Sequence, residues 1–148
     1  MSLKEELSYL EKMVSNSVRF DVANISQIDF TNAMLKNNEL SALPTEYQEF
    51  LMESDGLILP PYEFYGTKII ERMEYNYKFP SIIEVNMPLV KNKNPLIKNR
   101  VIIGSMFFDV IIFDETDKKF KILSRINFET VKTFEKFKQL LEYIKETL

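Results

Sequence analysis

The sequence predicts one α+β domain in which an antiparallel meander sheet packs against helices from the two ends of the chain. Three observations point there. Apolar residues recur at helical spacing near both termini. β-branched and aromatic runs separated by polar turns fill residues 100–126. The order is helices, then strands, then a helix, without the strand–helix alternation of a parallel sheet. The 148 residues suit a single domain, 1–148. A chain of this length buries enough surface to fold without a metal or a disulfide.

The elements follow in order. Ser2 and Glu5 form a Ser-x-x-Glu capping box, and Leu3, Leu7, Leu10 and Val14 make one apolar stripe, so a helix is expected over 3–15. A second is expected near 29–37, capped by Asp29, with Phe30, Ala33, Met34 and Leu35 as its face. Leu43 to Met52 reads as a third. Pro44 suits its first turn, Tyr47, Phe50, Leu51 and Ser54 share one side, and Gly56 can take the left-handed backbone that closes a helix. Leu57-Ile58-Leu59 and Glu63-Phe64-Tyr65 read as short strands around Pro60-Pro61. Residues 67–90 show no clear period, and Pro88 and Pro95 are expected at turns or edges. Val101 to Gly104 and Phe107 to Phe113 read as central, covered strands, with Ser105 a turn residue. Asp114 to Lys119 is a polar turn, and Phe120 to Ile126 is the returning strand. Thr133 is expected to cap a last helix carrying Phe134, Phe137, Leu140, Leu141 and Ile144.

Composition narrows the chemistry. The chain has no cysteine and no histidine, which removes the thiolate nucleophile, the commonest zinc ligand and the usual general base near neutral pH. Its three glycines, Gly56, Gly66 and Gly104, cannot form a phosphate-binding loop. Asp114, Glu115 and Asp117 suit a hairpin turn and lack the spacing of a calcium loop, while Asp109, inside an apolar run, suits a backbone hydrogen bond or a bulge. Lys91, Lys93, Lys98 and Arg100 suit a solvated basic loop, since no aromatic residues interleave with them. The net charge of -3 argues against a general nucleic-acid binder. The charged N-terminus is unlike a signal peptide, and no apolar run reaches the ~18 residues of a membrane span, so a cytoplasmic location is expected. Neither a catalytic site, a cofactor nor a metal is expected. The enzymatic alternative would need a carboxylate- or lysine-based site around Asp109 or Arg100.

Binding to a protein is the expected mode of action. Between Tyr62 and Phe79 aromatic residues alternate with charges, and tyrosine is over-represented at binding hot spots. The phenylalanines suit the core. Each tyrosine suits either the core or an interface, since a phenol can pack its ring and keep its hydroxyl wet. The expected contacts are Tyr62, Glu71, Glu74, Tyr75 and Tyr77.

Leu43-Pro44-x-x-Tyr47-x-x-Phe50-Leu51 followed by Asp55-Gly56 resembles the signature near the start of SUKH-superfamily domains. Tyr65-Gly66, Ile103-Gly104, Asp109-x-Ile111-x-Phe113 and Thr133-Phe134-Glu135-x-Phe137 extend the resemblance over residues 30–146, and Glu74-Tyr75-Asn76-Tyr77 is similar to the YrhA-like branch. The family includes bacterial immunity proteins and a fungal regulator of cell-wall synthesis. The resemblance implies an antiparallel α+β fold and an immunity protein that neutralises a partner toxin by stoichiometric binding. It implies no catalytic residues. If the toxin is a basic nuclease, Glu71 and Glu74 would steer association. The alternative is a regulatory scaffold that mediates protein–protein interaction without catalysis.

Overall fold

A computed structural model describes residues 1–72 and 77–148. Five α-helices lie among them: α1 (Leu3–Met13), α2 (Ile25–Asn37), α3 (Thr45–Leu51), α4 (Ile82–Lys91) and α5 (Phe137–Thr147). The strands are β1 (Val18–Arg19), β2 (Leu57–Leu59), β3 (Tyr62–Phe64), β4 (Ile70–Arg72), β5 (Tyr77–Phe79), β6 (Arg100–Met106), β7 (Asp109–Asp114), β8 (Lys119–Ser124) and β9 (Thr130–Phe134). Seven strands form one antiparallel sheet in the order β1-β2-β3-β6-β7-β8-β9, and β4 and β5 form a separate hairpin. The expected α+β architecture with a meander sheet is present.

The helix starts are set by short polar side chains. Ser2 caps α1 by accepting from the Glu5 N–H at 3.2 Å, but the expected capping box is only half formed: the Glu5 carboxylate accepts the Ser2 hydroxyl at 3.0 Å in place of the Ser2 backbone N–H. α2 starts four residues before the expected Asp29, because Asn24 and Gln27 exchange reciprocal capping bonds. Its buried face is accordingly Ile28, Thr31 and Leu35, and Phe30 is turned outward. Pro44 precedes α3 as its N-cap, and Gly56 takes a positive φ of 102° at the entrance to β2. The segment without a readable period holds the β4–β5 hairpin and α4. Ser81 caps α4 through the Glu84 N–H, and Pro88 lies inside the helix on its exposed side, not at a turn.

Two corrections fall in the second half. Thr133 and Phe134 belong to β9, so α5 starts at Phe137, where Glu46 of α3 accepts the Phe137 N–H at 2.9 Å. Ser105 is buried in β6, and its hydroxyl bonds that of Tyr65 at 2.7 Å.

Tyr47, Phe50, Phe64, Phe120 and Phe137 bring α3, α5 and the sheet together, with neighbouring ring centroids 5.1 to 5.9 Å apart. Truncating such a buried ring costs about 3–5 kcal/mol. On the other side of β6, Asn86 of α4 bonds both the N–H and the C=O of Ile102 at 2.8 and 2.9 Å. A helix side chain thus satisfies strand backbone that β3, which pairs only from Gly104 onward, does not reach. A second fixed point joins Asp55 to Thr67, whose N–H and hydroxyl donate to its carboxylate at 2.6 and 2.7 Å. Tyr47 donates to the carbonyls of Tyr65 and Ile103; burial, with Asp55 adding to it, holds its hydroxyl well above the ordinary phenol range. Tyr47, Phe50, Leu51, Asp55 and Gly56 therefore all act in the interior.

Candidate binding surface

The strand registers gather three turns at one end of the sheet. Leu59 faces Tyr62 across Pro60-Pro61, and Tyr62 in turn faces Met106. Met106 faces Asp109 across a two-residue turn, Phe107-Phe108. Asp109 faces Ser124, which leads into the loop before β9. The side chains at this end are unlike ordinary turn residues. Phe107 is 72% exposed, Phe108 78% and Ile126 87%.

The Phe107-Phe108 turn departs from local preference. Phe107 has a φ of 43°. A two-residue hairpin with a positive φ at its first turn position takes glycine there by preference, and a bulky residue is an outlier. The loop beside it is held at several points. Arg125 donates its N–H to the Phe108 carbonyl at 2.8 Å, Phe128 N–H bonds the Ser124 carbonyl at 2.8 Å, and Ser124 N–H bonds the Glu129 carbonyl at 2.9 Å. The first of these links the two turns, so the phenylalanines and Ile126 project from a braced pair of hairpins.

The charges nearby are mixed. Asp109 lies close enough to Tyr62, and Glu63 close enough to Tyr65, to push those hydroxyls upward, while Arg125 acts on Tyr65 in the opposite direction. Burial is the largest cause of the upward shift at both tyrosines.

The residues expected as contacts do not converge here. Tyr62 is only 2% exposed; its ring lies in the core and its hydroxyl bonds that of Thr147 at 2.6 Å. Thr147 itself donates to the Ile144 carbonyl, so Tyr62 is the donor of the pair. This corrects Tyr62 as a contact, because a ring filling the space under α5 has almost no surface left for a partner. Glu71 is exposed on β4, opposite Lys78. Glu74, Tyr75 and the side chain of Tyr77 lie outside the described residues.

The charged groups weighed for chemistry are arranged as structure. Asp114, 5% exposed, accepts from Arg100 at 3.1 Å, from Lys121 at 3.2 Å and from the Thr116 N–H at 2.9 Å. Burial pushes its carboxyl up, but the Thr116 N–H, Lys121 and Arg100 outweigh it and hold the group below its ordinary value. Burial likewise opposes the charge on Lys121, which Asp117 at 2.7 Å and Asp114 restore and raise. Arg100 therefore belongs to this network and not to a basic loop. Asp109 opens β7, half-buried, in place of sitting within a covered strand. Among the described residues, no three carboxylates converge closely enough to hold a metal ion, and no helix is long and apolar enough to cross a membrane.

The exposed phenylalanine pair was missed because Phe107-Phe108 continues an apolar run and carries strand propensity. The available signal was geometric: two paired strands between residues 100 and 114 need a turn, and nothing in that run offers Asn-Gly or Asp-Gly. No protein-family model matches this chain, and no curated protein matches it either.

Proposed function

We propose that this chain is a non-catalytic protein-binding module that acts by stoichiometric attachment to a partner, and that the partner is a bacterial toxin it neutralises as an immunity protein. The exposed Phe107-Phe108 turn carries the reading. Two adjacent aromatic rings are held in solvent in one turn, the first of them, Phe107, at a position that favours glycine. Exposed apolar clusters of this kind mark interaction sites, and backbone outliers concentrate where function requires them. The SUKH-like motif order supplies the narrower reading of an immunity protein.

Co-expression with the product of the adjacent open reading frame tests it. Protection of the host from that product, with a one-to-one complex on purification, is the expected result. Neither protection nor a complex would overturn the reading.

A further inference from the structure

We infer that Val131 and Lys132 close the free edge of the sheet to strand addition, so that neither a second copy of this chain nor an extended peptide can lengthen the sheet at β9. The inference stands apart from the protein-binding reading above and does not depend on it.

An edge strand presents backbone N–H and C=O groups with which another strand can pair. This sheet ends in β1 on one side and β9 on the other. β1 has two residues, too few to template a neighbour. β9 has five, pairs with β8 alone among the described strands, and leaves Thr130, Val131, Lys132 and Thr133 exposed. Its threonines and valine favour pairing, so β9 is the edge at risk.

Two features oppose that pairing. The first is a bulge. Leu123 faces Thr130 and Ile122 faces Lys132, which leaves Val131 as an extra residue without a partner across the ladder. Such a residue bends the strand and breaks the even spacing of its outward groups. The regular register of β9 is then confined to Lys132, Thr133 and Phe134.

The second feature is a charge on the covered face. Lys132 and Phe134, two residues apart, lie on the same side of β9. Phe134 packs on Tyr143 of α5 with ring centroids 5.4 Å apart, and the Lys132 ammonium lies 5.0 Å from the centre of that same ring. Ile122, beside Lys132 on β8, is buried. Lys132 stays exposed because β9 has no outer neighbour. An added strand would set a side chain next to it on this face and take its ammonium out of water against an aromatic ring. That loss outweighs the net gain of a few backbone hydrogen bonds. A second copy fares no better. Antiparallel self-pairing centred on Lys132 sets two ammonium groups opposite each other, and Glu129 opposite Glu135. Centred on Thr133, it covers each Lys132 with Phe134 of the second copy.

The test uses the full chain, with sedimentation velocity for mass and hydrogen exchange for the β9 amides. In the wild type the outward β9 amides are expected to stay unprotected up to about 1 mM. Lys132→Thr should half-associate near about 100 µM, and Lys132→Thr combined with deletion of Val131 near about 10 µM, gains of about 10-fold and 100-fold over that limit, with residues 130–134 becoming protected. Lys132→Thr changes one exposed side chain and so keeps the test decisive if the deletion disturbs the fold. Lys12→Thr, at an exposed position on α1, makes the same change in net charge and should associate no more than the wild type. Protection of the β9 amides in the wild type at micromolar concentration would show an open edge and overturn the inference. So would a folded double variant that stays a single copy, association in it that leaves β9 unprotected, or an equal gain in Lys12→Thr.

Discussion

Replacing Phe107 with glycine removes an aromatic ring, yet the structure predicts almost no change in stability. Three contributions set the balance. Relief of a φ of 43° at a non-glycine residue is worth about 1–2 kcal/mol. Glycine gives the unfolded chain more freedom, which costs about 0.5–1 kcal/mol. The ring is 72% exposed, so about a quarter of the ~1.5–3 kcal/mol of full burial is lost, on the order of 0.5 kcal/mol. The sum lies within about 1 kcal/mol of zero. Urea and thermal denaturation followed by circular dichroism would read it, with Phe64→Ala as the comparison. Phe64 is fully buried, and its truncation should cost about 3–5 kcal/mol. A loss above about 2 kcal/mol for Phe107→Gly would show that the ring supports the fold, and the case for keeping it as a binding element would fail.

Two further outcomes follow from the interior. Asp114→Asn leaves Arg100 and Lys121 without their shared carboxylate and should cost about 2–3 kcal/mol at pH 7, less than for a wholly buried pair because both cations are partly exposed. The folded carboxyl is held below its ordinary value, so its contribution is complete above the unfolded value of about 3.9 and is lost as pH falls through the lower, folded one; urea midpoints of the two proteins should converge over that acid range and stay apart from pH 5 upward. Gly66→Ala would drive its new methyl group into the backbone and carboxylate of Asp55, where Thr67 is already bound, and should cost about 3 kcal/mol or more by denaturation; a variant as stable as wild type would contradict the close approach of these two segments.

The parts of the fold legible in the sequence are those where one local signal suffices. The Ser2 cap three residues before Glu5 and the leucine stripe locate α1, and the apolar alternation after Lys119 locates β8. α4 carried the same cue, Ser81-x-x-Glu84, but Pro88 argued against a helix. Proline is tolerated there because it sits on the exposed side, at the loss of one backbone bond. β9 had no period to read, since four of its five residues are exposed at the sheet edge.

The candidate surface was less legible because its decisive features are tertiary. Tyr62 looked equally suited to an interface until α5 brought Thr147, 85 residues away, onto its hydroxyl. Phe107 and Phe108 looked like covered strand until the register placed the reversal between Met106 and Asp109. Ile126 came beside them only through the pairing of β7 with β8. Composition spoke to the chemistry such a surface can perform; which residues form it depended on where the strands turn.

Calorimetric titration of the wild-type chain and of Phe108→Ser into the product of the adjacent open reading frame, with its toxic activity silenced by substitution, decides whether the exposed turn is where a partner protein attaches. The expected result is one binding site per partner molecule for the wild type and a near-complete loss of heat for the variant, which remains folded. Equal isotherms for the two chains would contradict it.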